Sequence, residues 1–400
     1  MRVLMFGWEL PPHNSGGLGV ACYNLAKALC EKNAEVIFVL PQKYDNVSFD
    51  PFRVIFASDT VKVVGIRSPL VPYLTAERYA ALLARGELSH FGDTLQDEVM
   101  RYGAEAKRIA EREQFDVIHA HDWLSFPAGV VAKRASGKPL IAHVHATEFD
   151  RTGGQGVDQK VYEIEKWGME QADKVVAVSR FTKDMIIAKY GIPPEKIEVV
   201  HNAVDDAIAC GGNARSFSFP EKAIVLFVGR MTLQKGPDYF VAAARKVLER
   251  EKDVMFVMAG DGDMYHAVIE QASRLGIAEH FSFTGFLRGR ELTRLYRSAD
   301  IFVMPSISEP FGLTALEAQK NRAPVLISRQ TGVGEVLNHC LKVDFWDVDE
   351  MAAKILAVVR YKELGQCLSD NGYEESSRFT WSAVAEQCIR LYRSLAPAGA

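Results

Sequence analysis

Apolar runs of about five residues alternate along the chain with longer segments whose apolar positions recur at helical spacing. This alternation predicts parallel sheets with helices on both faces, because each crossover helix covers a strand that would otherwise stay bare. In the first half it predicts strands at 3–6, 35–40, 61–65, 117–120, 140–143, 174–178 and 197–200. Helices fall near 18–32, 76–83, 93–113, 125–135, 159–171 and 180–189. Residues 205–221 break the rhythm: Gly211-Gly212-Asn213 and Pro220 stand in a stretch of little periodicity, which predicts a hinge. The alternation then restarts, with strands at 224–228, 254–259, 281–284, 301–304 and 325–327, and mostly helix to the end. The fold class is therefore α/β: two doubly wound, Rossmann-like domains, 1–205 and 206–380, with a central cleft between the carboxyl edges of their sheets.

Composition narrows the function. The chain has 400 residues, 48% of them hydrophobic, enough for two cores, and a net charge of −4 spread along its length. No basic stripe predicts a nucleic-acid groove or an anionic membrane surface. Six scattered cysteines form no C-x-x-C, so zinc and redox readings are weak and reduced thiols in a cytoplasmic protein are the simplest account. The chain enters its first strand directly, with no charged leader and no long apolar segment, which predicts neither export nor a transmembrane span.

The chemistry concentrates between Pro305 and Glu335. A strand runs into a loop carrying Glu309, then into a helix from near Gly312 that carries Glu317. The next strand opens into Thr331-Gly332-Val333-Gly334 ahead of another helix start. Two helix N-termini at neighbouring strand ends suit phosphate, through their free N–H groups and dipoles. The carboxylates suit hydroxyl groups instead, so together they describe a pocket for a nucleotide sugar. Each part has a plainer reading. Thr314 and Glu317 fit a capping box, Glu309 fits a solvated loop, and the glycines fit ordinary turns.

Other stretches extend the pattern. Gly229-Arg230 and Lys235 follow a strand at a spacing that lets one loop bring two cations onto a diphosphate, unless both are simply surface charges. Neither a Walker A sequence nor a dinucleotide fingerprint is present. Ser15-Gly16-Gly17-Leu18-Gly19 opens the first helix, where glycines let a ligand approach the backbone. In the pairs His119/His121 and His143/His145, alternation along a strand points both members one way, so four imidazoles can gather on one rim. No cysteine or carboxylate pattern completes an ordinary ligand set, so the sequence predicts no metal, and packing or capping roles suit His119 and His143.

These residues resemble the retaining glycosyltransferases of family 4, which include glycogen and sucrose synthases, and within it the glycogen and starch synthase-like group. The resemblance lies in G-G-L-G at Gly16 to Gly19, H-A-H-D-W at His119 to Trp123, the histidine motif ending at His145, and E-x7-E at Glu309 and Glu317. A turn like N-G-V-D ends the first domain, with Ala203 in place of the glycine. The resemblance implies the GT-B fold, with the final helix, 381–400, crossing back onto the first domain. It implies that Gly16 and Gly17 cap the sugar diphosphate, and that Asp122 and His145 line the cleft beside the sugar. Arg230 and Lys235, following Gly229, hold the departing diphosphate together with backbone N–H groups near Gly312-Leu313 and Val333-Gly334. Glu309 contacts the transferred hexose, Glu317 the ribose, and Phe286 and Leu287 flank the nucleobase.

The implied activity is retaining, metal-independent transfer of a hexose, glucose above all, from ADP-glucose or UDP-glucose to an α-1,4-glucan, with no cofactor. Asn14 stands where the synthases usually have lysine, which favours the rival reading of a small-sugar, lipid-linked or cell-surface glycan acceptor. A non-catalytic sugar-binding protein and a nucleotide-sugar epimerase or hydrolase are further alternatives. The expected partners are a nucleotide sugar and a carbohydrate acceptor, with no nucleic acid; a homo-oligomer stays open.

Overall fold

The computed structural model describes residues 1–11, 16–41, 53–56, 81, 95–205, 219 and 222–395. Seven strands make the first sheet: β1 (Arg2–Phe6), β2 (Glu35–Leu40), β3 (Arg53–Phe56), β4 (Val117–His121), β5 (Leu140–Val144), β6 (Lys174–Ala177) and β7 (Ile197–Val199). All pairings are parallel, in the order β3-β2-β1-β4-β5-β6-β7. Six more make the second sheet: β8 (Ala223–Val228), β9 (Val254–Ala259), β10 (Phe281–Gly285), β11 (Ile301–Met304), β12 (Val325–Ser328) and β13 (Leu341–Val343). These too are parallel, in the order β10-β9-β8-β11-β12-β13.

The strands read as continuous apolar runs because both faces of each sheet are covered. In β1, Leu4 and Phe6 pack beneath the helices Leu95–Arg112 and Phe126–Ser136, while Val3 and Met5 face the helix Gly17–Glu31. In β8, Val225 and Phe227 meet the helices Pro237–Leu248 and Val348–Arg360, and Ile224 and Leu226 the side built on Gly289–Ser298 and Leu313–Lys320. The helix Trp381–Leu395 leaves the second sheet and packs on Gly17–Glu31, burying Trp381, Val384, Ala385, Cys388, Leu391 and Tyr392 in the first sheet's core. No helix among the described residues is long and apolar enough to cross a membrane.

Several elements differ from the pattern-based expectation. β3 and β13 are strands the alternation does not predict; both are edge strands of four and three residues, too short to express a period of two. The helix expected after β12 is a single 3-10 turn, Gly332–Glu335. The predicted strand at 61–65, the predicted helix at 76–83 (residue 81 apart) and most of the predicted hinge lie outside the described residues.

Candidate active site

Strand order reverses at β1/β4 in the first sheet and at β8/β11 in the second. Crossovers leave in opposite directions at such a point and open a crevice at the carboxyl ends of the strands. The candidate residues follow these strands. Gly16 and Gly17 come after β1, Asp122 after β4, His145 after β5, Gly229-Arg230 after β8, and Glu309 after β11.

On the second-sheet side, two loops are stitched together. Ile307 donates its backbone N–H to Gln234 (2.9 Å), and the Gln234 side chain donates to the Ser308 carbonyl (3.0 Å). This brings Lys235 onto Glu309 as an ion pair, with Ser306 donating to the same carboxylate at 3.2 Å. Glu309 is therefore not a solvated loop carboxylate; it is buried and paired. Gly312 adopts φ +112°, and a Cβ there would sit 2.8 Å from Met304 Cε and 3.3 Å from Glu309 Cγ, so only glycine lets the chain turn this tightly into the helix Leu313–Lys320. No side chain caps that helix, and its leading N–H groups at Leu313 and Thr314 have no acceptor among the described residues.

The capping-box reading of Thr314 and Glu317 does not hold. Thr314 lies inside the helix with its hydroxyl on Met304 Sδ (3.4 Å), and Glu317 accepts instead from the Tyr296 hydroxyl (2.9 Å). Burial raises the Glu317 pKa against that hydrogen bond. The expected phosphate-binding amides of Val333 and Gly334 are engaged within the protein, with Phe311 O at 2.7 Å and Thr331 O at 3.2 Å. The sequence pattern misses this because it reads the 3-10 turn as a free helix start. Phe286 is exposed, with the Arg288 guanidinium 4.8 Å from its ring centre, whereas Leu287 packs against the second-sheet core.

On the first-sheet side, a Cβ on Gly17 would lie 3.8 Å from Leu313 Cδ1, so the glycine loop faces the start of the Glu317 helix. Asn14 lies outside the described residues. Glu9 holds this loop: its Oε1 accepts from Gly19 N–H at 2.8 Å, and its Oε2 has no partner. Burial raises its pKa to about 7, against the Gly19 bond and the positive charge of Arg230. Glu9 is absent from the predicted site, although an acid between a strand end and a glycine loop is a readable signal.

Asp122, at φ +58°, is buried, and its Oδ1 accepts the backbone N–H of His145 (2.6 Å) and Ala146 (3.3 Å). It thus grips the His145 loop from behind. Burial raises its pKa to about 7 despite nearby Arg151 and these amides. Arg151 donates to Ala146 O (3.1 Å) and pairs with Glu148 and Glu165, stiffening the same loop.

The four histidines do gather. His119 and His121 stack at 4.5 Å, His143 and His145 at 4.1 Å, with nearly parallel planes. Hydrogen bonds run across the strands, His119 Nε2 to His143 Nδ1 (3.0 Å) and His121 Nδ1 to His145 Nε2 (2.9 Å). Ring nitrogens of His119, His121 and His143, and likewise of His121 and His145 with Cys22 Sγ, lie within 4.8 Å of one another. Imidazole lone pairs lie in the ring plane. In the stacked His119 and His121 they run side by side, so a metal in the first set would require a ring to turn; in the second set His121 and His145 are tilted and their facing nitrogens share a hydrogen bond that a metal would have to displace. Burial lowers every pKa in the array, to about 3 for His119 and His145, so the rings are neutral near pH 7.

The halves touch directly. Ser308 donates to Asp150 Oδ1 (2.5 Å), and Ser179 and Thr182 donate to the Pro310 carbonyl (2.6 and 3.2 Å). Glu335 accepts from the backbone of Arg180 and Phe181 and pairs with His201 (2.5 Å).

Two parallel-sheet lobes with paired charges at facing crevices define a GT-B glycosyltransferase architecture. The comparisons agree. Residues 15–208 match the model described as "Glycosyltransferase Family 4", and residues 213–375 the model described as "Glycosyl transferases group 1". The chain is 30% identical to a D-inositol 3-phosphate glycosyltransferase of Kribbella flavida, across 85% of each chain. It is 28% identical to the glycogen synthase of Mycobacterium tuberculosis, across 98% of this chain and 94% of that one. The structure of sucrose-phosphate synthase from Thermosynechococcus elongatus superimposes with a TM-score of 0.80 at 20% identity, over 98% of each chain. The chain belongs to glycosyltransferase family 4.

Proposed function

We propose that this glycosyltransferase moves glucose from ADP-glucose or UDP-glucose onto an α-1,4-glucan, with retention of configuration and without a metal or cofactor. One observation carries the reading: Lys235, which shares a loop with Arg230, is held against Glu309 on the neighbouring strand-end loop, so two cations and a carboxylate gather at one place. Arg230, Lys235 and the Gly312-Leu313 amides stabilise the diphosphate as it leaves. Glu309 releases Lys235 to the phosphates and turns to the hexose hydroxyls, which His145 also contacts. Glu317 holds the ribose, and Phe286 and Leu287 flank the base. The bond from the anomeric carbon to the diphosphate breaks, the acceptor oxygen bonds on the same face, and the acceptor proton passes to the departing diphosphate.

The test is a screen of ADP-, UDP- and GDP-glucose against glycogen and small acceptors, with products read by mass spectrometry and anomers by NMR. A new α-linkage formed equally well in EDTA is the expected result. A β-linked product, or free nucleotide with no glycoside, overturns the reading. A second reading has support of its own: the 30% identity to inositol phosphate glycosyltransferases favours a small phosphorylated acceptor, which the screen includes as inositol phosphate.

A further inference from the structure

We infer that His121 is a positioning residue that fixes His145 in the tautomer carrying its proton on Nδ1, so that His145 donates a hydrogen bond into the cleft. The inference deepens the proposed function and rests on its placement of His145 beside the hexose.

A neutral imidazole has one N–H donor and one bare acceptor nitrogen. His145 Nε2 is committed to His121 Nδ1 at 2.9 Å, so one of these two nitrogens carries the shared proton. The other nitrogen of His121, Nε2, is buried without a partner. If the proton of His121 sat on Nε2, an N–H donor would be buried with no acceptor. If it sits on Nδ1, only a bare lone pair is left unpaired. Orphaned buried N–H groups are the rarer of the two in folded proteins. His121 Nδ1 therefore donates to His145 Nε2, and the His145 proton resides on Nδ1, which has no hydrogen bond among the described residues.

The neighbouring pair obeys the same rule. His143 Nε2 is likewise buried and unpartnered, so His143 Nδ1 donates to His119 Nε2 at 3.0 Å. His119 Nδ1 then donates to the Tyr392 hydroxyl at 2.6 Å. Both pairs reach one self-consistent arrangement, with every proton in the array pointed at an acceptor or into the cleft. The array is buried among neutral rings, which keeps His145 a fixed donor near pH 7.

The test is nitrogen-15 NMR of the whole protein labelled at histidine. Ring nitrogen shifts separate protonated from bare nitrogens, and His145→Gln and His121→Phe assign the signals. The expected result is His145 with Nδ1 protonated and Nε2 bare. His145 protonated on Nε2 overturns the inference, even in the wild type alone. In His121→Phe, His145 is expected to populate both tautomers, and kcat to fall about tenfold with donor KM changed much less. His121→Gln, whose amide can donate to Nε2, is expected to restore most of the rate. An unchanged His145 spectrum in His121→Phe also counts against the inference. The predicted tautomer combined with full activity in His145→Gln leaves the tautomer standing and refutes the placement of His145 at the sugar.

Discussion

Lys235 and Glu309 are 74 positions apart, and no local pattern announces that they pair. Each is legible alone as a strand-end residue; their contact depends on two loops being joined through Gln234. Both side chains are largely shielded, so removing one partner leaves a poorly solvated charge. Lys235→Met is expected to cost about 3 kcal/mol of stability. Lys235→Met with Glu309→Gln should recover part of it, with a coupling of about 1–3 kcal/mol in urea unfolding. Catalysis separates from stability here: Arg230→Ala and Lys235→Ala should each lower kcat by roughly a hundredfold, with less effect on donor KM, because they act where charge develops. Near-normal turnover in the double variant would remove the diphosphate assignment. Gly312 was readable as a turn former, but its positive φ and its crowding against Met304 needed the fold. Gly312→Ala should cost about 1–3 kcal/mol, measured by thermal unfolding, and slow turnover with it.

The interior strands were legible because burial on both faces makes them unbroken apolar runs. β3 and β13 were not, being edge pieces shorter than the pattern that would reveal them. The Gly332–Glu335 turn was read as a helix because its glycines and strand-end position match both. The facing of four histidines, three from β4 and β5 and His145 just beyond β5, followed from alternation; the stacking and cross-strand hydrogen bonds came from register, which pairs His121 with His143. Those elements set the pH response. The histidine pKa values are depressed, so their contribution to stability is present above about 6.5 and is lost as pH falls toward about 3. Glu9 and Asp122 are raised, so theirs is fullest near pH 4 and is lost as pH rises through about 7. Each group contributes about 1.4 kcal/mol per pH unit, and the two sets oppose each other between pH 4.5 and 6.5. Four depressed histidines outweigh these two acids, so stability falls on acidification from pH 6.5 to 4.5; His119→Phe should make it fall less steeply and Glu9→Gln more steeply. Urea midpoints across that range check both.

Over the whole molecule, two doubly wound lobes followed from one alternation interrupted and resumed. Their mutual placement did not, because the ties between them are scattered contacts, single hydrogen bonds from serines and threonines and the Glu335 contacts with His201 and the Arg180 and Phe181 backbone, that no local pattern announces. Asp150–Ser308 and the grip of Ser179 and Thr182 on Pro310 hold the Glu309 loop against the first lobe. Losing one such bond costs about 1–2 kcal/mol, a five- to thirtyfold change in the balance between joined and parted lobes. Ser308→Ala should accordingly widen the interlobe distance distribution, measured by fluorescence energy transfer between labels on the two lobes, and raise donor KM. An unchanged distribution would show that the ties follow closure instead of favouring it.

Because the helix Trp381–Leu395 completes the hydrophobic core of β1 and the helix Gly17–Glu31, the first lobe is encoded in two stretches that flank the whole of the second. A nascent polypeptide can assemble the second lobe while still attached to the ribosome, yet the first must wait, its apolar stripe bare, for the helix Trp381–Leu395 to emerge. A message cut short before the codon for Trp381 thus yields not a shortened enzyme but a substrate for chaperones and proteases.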